Sequence, residues 1–81
     1  MITWPRTIDG KPVAHYENLA VALEHLGVTV YRTGHPHRFE IVQHGQLISR
    51  RHLQLQLHHL GLQMATVRFL VLLALPARVA E

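Results

Sequence analysis

The chain has 81 residues, 48% of them hydrophobic and 16% charged, with eight Lys and Arg against five Asp and Glu for a formal charge of +3. That length admits one small domain and excludes two, and the apolar content excludes a chain that is disordered by composition. With no cysteine, disulfides, thiolate metal sites and a Cys nucleophile are excluded as well.

Residues 1–17 read as an N-terminal arm, and residues 18–81 as a single α+β domain in the order helix, β-hairpin, helix, helix. The opening Met1-Ile2-Thr3-Trp4-Pro5-Arg6 has neither the charged start nor the apolar run of a signal peptide, so a cytoplasmic protein is expected. In the arm, Asp9-Gly10 is a turn signal, Pro12 biases Lys11 to an extended backbone, and Trp4 is expected to pack back onto the domain.

The stretch from Asn18 to Tyr31 organises the rest. Asn18 is read as the N-cap of a helix whose Leu19, Leu23 and Leu26 form one apolar stripe. Gly27 can take the left-handed conformation that ends a helix, and the β-branched Val28, Thr29 and Val30 then favour a strand running to Tyr31. Thr33-Gly34-His35-Pro36-His37 reads as a loop. Arg38 to Gln43 follows as a half-buried strand with Phe39 and Ile41 on one face, the natural hairpin partner of residues 28–32.

His44-Gly45 is a second turn, and Gln46-Leu47-Ile48 extends the sheet briefly. Leu53-Gln54-Leu55-Gln56-Leu57 alternates like a strand, yet Leu53, Leu57 and Leu60 also fall at helical spacing. The helix is favoured, capped by Ser49 and ended by Gly61. Thr66 is expected to cap a last helix through Leu75, which Pro76 ends. Its run Phe69 to Leu75 is far short of the roughly 20 residues needed to cross a bilayer. A helix so apolar should be buried on several sides, and Phe69, Leu72 and Leu73 are the candidates for contact with a protein partner or a second copy.

The chemistry-bearing residues point away from catalysis. Ser49 is the one serine and is better used as a cap, and the internal carboxylates Asp9, Glu17, Glu24 and Glu40 are isolated. There is no GxxxxGK[ST] phosphate loop, and no cofactor site is indicated. His35 with His37 and His58 with His59 are the obvious metal-ligating pairs, but neighbouring helical side chains diverge and no carboxylate spacing completes a site, so no metal is expected.

Seven of the eight basic residues are Arg, Lys11 being the exception, and Arg suits bidentate phosphate contacts. The eight His can add charge at mildly acidic pH. Arg32, His35, His37 and Arg38 flank the hairpin tip, and Arg50 and Arg51, followed by His52, open the second helix. These are the candidate nucleic-acid-binding residues, with Tyr31 as a possible base-stacking group.

Taken in order, Trp4-Pro5, Gly10-Lys11-Pro12, Asn18-Leu19, Leu23, Gly27-Val28-Thr29-Val30-Tyr31 and Leu60-Gly61-Leu62 resemble the opening of virulence-associated protein E-type proteins. These are the phage and genomic-island proteins similar to primase-helicases. The likeness covers nearly all of this chain but only the segment that precedes the family's ATPase domain, and Tyr31-Arg32-Thr33 stands where the family has an Arg-Tyr-Asn-like signature. The resemblance implies a mobile-element origin and a setting in DNA replication, without helicase or primase activity. The expected function is a non-catalytic accessory module that binds nucleic acid or a replication protein. The alternative is a phage-encoded inhibitor of a host protein complex, in the manner of an anti-CRISPR protein.

Overall fold

Short-range signals at Gly27, His44-Gly45 and Gly61 set where the elements turn. The computed structural model describes residues 2–34 and 38–79, and its architecture is α+β. A small hairpin of β1 (Thr7–Ile8) and β2 (Lys11–Pro12) precedes α1 (Tyr16–Leu26), β3 (Val28–Arg32), β4 (Phe39–Gln43) and β5 (Gln46–Ile48). Then come α2 (Arg50–His59), α3 (Thr66–Ala74) and β6 (Arg78–Val79).

The main sheet has the order β5-β4-β3-β6. β3 and β4 pair antiparallel over their full length, Val28 opposite Gln43 and Arg32 opposite Phe39, and β5 returns along β4 from Gln46 to Ile48. β6 joins the other edge parallel to β3 through Tyr31 and Arg32. The two-residue turns Asp9-Gly10 and His44-Gly45 have positive φ at both positions, the backbone twist that closes tight hairpins.

One face of the sheet carries the core. Val28, Val30 and Ile41 point to it, and Leu19, Ala22 and Leu23 of α1, Leu53 and Leu57 of α2, Leu62, and Phe69 and Leu73 of α3 close over them. Each fully buried Leu or Phe contributes roughly 1.5–3 kcal/mol. Phe39, Ile48 and Trp4 pack at the margin, so Trp4 does fold back onto the domain. All three helices thus lie on one side. By register, Thr29, Tyr31, Glu40, Val42 and Leu47 stand on the opposite face.

Two caps differ from expectation. α1 starts at Tyr16 with His15 as N-cap, its Nδ1 accepting from the Glu17 amide at 3.4 Å. Asn18 lies inside the first turn and is fully buried, because its side chain serves the arm instead. Its Nδ2 donates to the carbonyls of Arg6 (3.0 Å) and Val13, and its Oδ1 accepts from the Arg6 amide at 3.3 Å. Ala65, not Thr66, is the N-cap of α3, and no side chain bonds that helix end.

The run 53–57 is helical. Ser49 caps it, its Oγ accepting from the His52 amide at 3.1 Å. At the other end Gly61, at φ 89°, donates to the His58 carbonyl (2.8 Å) while Leu62 donates to that of Leu57 (2.9 Å). These paired bonds, with Leu57 and Leu62 both buried, form the glycine C-terminal motif.

Candidate nucleic-acid interface

Strand direction decides which basic residues meet. β3 ends at Arg32, β4 begins directly after Arg38, and β5 runs back toward the same end before Ser49 turns the chain into α2. Arg32, Arg38, Arg50 and Arg51 are therefore brought to one end of the sheet, and all four are exposed. The Thr33 amide donates to the Arg38 carbonyl at 3.1 Å, which carries the hairpin pairing one step further toward the tip. His35 and His37, also expected here, lie outside the described residues.

α2 is held by its inner side. Leu53 and Leu57 are core residues, and Gln56 exchanges two hydrogen bonds with Gln43 of β4, at 2.7 and 2.9 Å. Gln43 also donates to the carbonyl of Leu26 at 3.1 Å, so α1, the sheet and α2 share one polar tie. Helical periodicity then turns Arg51, His52, Leu55, His58 and His59 outward, and all five are exposed.

Arg51 and Leu55 each border two surface hollows. One lies toward Leu62 and Met64, and the other toward Ser49, His52 and His59. These two residues form the crest of a ridge. Its flanks carry imidazoles, the His58 and His59 rings standing edge to face at 6.5 Å. Among the described residues no three His, Asp or Glu side chains converge to hold a metal ion.

Charge along the chain is unequal, a signal of composition that no motif carries. Through residue 40, Arg6, Lys11, Arg32 and Arg38 are balanced by Asp9, Glu17, Glu24 and Glu40. From Ile41 to Ala80 there are four Arg and four His and not one Asp or Glu. α2 therefore opens with Arg50, Arg51 and His52 and no acidic residue, against the preference of a helix N-terminus for negative charge.

The other candidates are placed differently. Tyr31 belongs by register to the sheet face opposite the helices, where Arg78 aligns with it across β3 and β6. It cannot stack a base held on α2. Phe69 and Leu73, expected at an interface, are core residues, and Leu72 is half-buried. The helix presents Val67, Val71 and Leu75 instead, exposed by 76, 61 and 59%. Spacing alone gave the apolar run no inner and outer side; packing against the sheet supplies it. No helix among the described residues is long and apolar enough to cross a membrane.

No protein-family model, curated protein or solved structure matches this chain.

Proposed function

We propose that this protein is a non-catalytic nucleic-acid-binding module that acts in the cytoplasm. The observation that carries the reading is the convergence of exposed Arg32, Arg38, Arg50 and Arg51 at one end of the sheet, next to a helix without a carboxylate. Arg gathered there neutralises phosphates and releases their counterions, and no acidic residue of the helix competes. The resemblance to the segment before the ATPase domain of virulence-associated protein E-type proteins supports a phage or genomic-island setting and an accessory role in DNA replication.

Gel-shift titration with short mixed-sequence DNA and RNA, single- and double-stranded, tests this reading. At least one probe should be retarded by the wild-type protein and released by the Arg50→Ala/Arg51→Ala variant. A variant that binds as the parent does would remove the proposed site.

A second reading, a protein-binding inhibitor or a homodimer, is favoured by the apolar stripe of Val67, Val71 and Leu75. Light scattering after gel filtration checks the dimer form. If the stripe pairs two copies, the parent elutes as a dimer and Val71→Asp as a folded monomer. A monomeric parent leaves the stripe to a different protein, captured by the parent and lost by the same variant.

A further inference from the structure

The outer side of α2 has more chemical detail than phosphate binding requires. Arg51, Gln54, Leu55 and His58 follow one another at steps of three, one and three, so they share one face of the helix. Arg, Gln and His carry the donors and acceptors that meet base edges. Leu55 is 55% exposed at the middle of this polar face, between the two hollows, and puts an apolar group among the donors and acceptors. A leucine in that position matches the methyl group that thymine presents in the major groove.

Dimensions agree. Ten residues make a helix of about 15 Å, and the major groove of B-form DNA, about 12 Å wide, admits an α-helix. Arg51, Leu55 and His58 are exposed, as contact with a groove requires.

The alternatives fit less well. A single strand is held mainly by stacking on aromatic rings, and α2 carries no Phe, Tyr or Trp. Tyr31 is on the far side of the sheet. The major groove of A-form RNA is too deep and narrow for side chains to read.

Resting on the nucleic-acid reading above, we infer that the ligand is double-stranded B-form DNA and that α2 lies in its major groove. Arg51, Gln54, Leu55 and His58 face the base edges, while Arg32, Arg38 and Arg50 hold the adjoining phosphates. α2 enters by its N-terminal end, because that is the end at which the phosphate-binding Arg residues gather.

The experiment is competition at equilibrium. Fluorescence anisotropy is measured with labelled duplex DNA, single-stranded DNA and duplex RNA of one length, and the DNA duplex is challenged with methyl green, a major-groove ligand, and netropsin, a minor-groove one. The duplex DNA should bind at least about tenfold more tightly than either other probe, and methyl green alone should displace the protein. Arg51→Ala/Leu55→Ala, which alters only exposed side chains and should melt as the parent does, should lose at least about fivefold in duplex affinity.

Equal or tighter binding of single-stranded DNA or duplex RNA overturns the inference and leaves nucleic-acid binding standing. So does displacement by netropsin alone, or a folded double variant with parental affinity. Failure to bind any probe overturns both readings together.

Discussion

Asn18 illustrates how one buried polar side chain can fix a segment that has almost no core of its own. The strands of the β1–β2 hairpin are only two residues each, and what ties them to α1 is the Asn18 amide bonding the backbone of Arg6 and Val13. Asn18→Ala removes three hydrogen bonds to the backbone of Arg6 and Val13 and empties a fully buried position, although the Arg6 carbonyl still accepts from the Val13 amide. A loss of about 2–4 kcal/mol in urea unfolding is expected, together with faster proteolysis at the Asp9-Gly10 turn. Gly27 is constrained twice, by φ 68° and by the His44 ring. A Cβ there would stand 2.8 Å from His44 Cε1. Gly27→Ala should cost more than the roughly 1 kcal/mol of a left-handed Ala alone. Combining it with His44→Gly should recover part of the loss, because His44 itself sits at φ 50° and glycine relieves both the clash and the strain. A double-mutant cycle in urea measures this coupling, and additivity would count against the contact.

At the level of elements, local chemistry was legible and tertiary chemistry was not. Gly27, Ser49 and Gly61 act through bonds within a few residues, and each does in the structure what its residue type suggests. Asn18 looked like a cap by the same logic, but its partners lie up to 12 positions away, where no local pattern points. The strands β1, β2 and β6 are two residues each and exist through pairing alone. The helix α2 was ambiguous from its alternating Leu and Gln until packing chose Leu53 and Leu57 for the core and Gln56 for its tie to Gln43. Of the candidate site, the cationic start of α2 was visible as residues, but its meeting with Arg32 and Arg38 depends on strand direction. That start is unfavourable for the helix as such. Arg50→Glu should therefore raise stability by about 0.5 kcal/mol in thermal or urea unfolding while weakening DNA binding. A helix start that lost both stability and affinity would indicate that Arg50 is structural.

For the molecule as a whole, the division of labour follows charge. The part through residue 40 is electrically balanced and supplies α1 and β3, and the rest supplies most of β4, β5, α2, α3, β6 and four Arg with no carboxylate before Glu81. With three helices on one face of a four-stranded sheet, α2 faces solvent with its Arg, His and Leu55 while Leu53 and Leu57 close the core. The phosphate contact proposed for Arg32, Arg38 and Arg50 has a quantitative signature, since each neutralised phosphate of duplex DNA adds about 0.9 to the slope of log K against log salt. The measurement that reads this most directly is anisotropy of a labelled duplex across about 50 to 200 mM salt, for the parent and for Arg32→Ala/Arg38→Ala/Arg50→Ala. The parent should bind with a slope of about −3 or steeper, and the triple variant should be weaker with a slope shallower by two to three. No binding at the lowest salt, or a slope that the triple substitution leaves unchanged, would contradict a phosphate site at this end of the sheet.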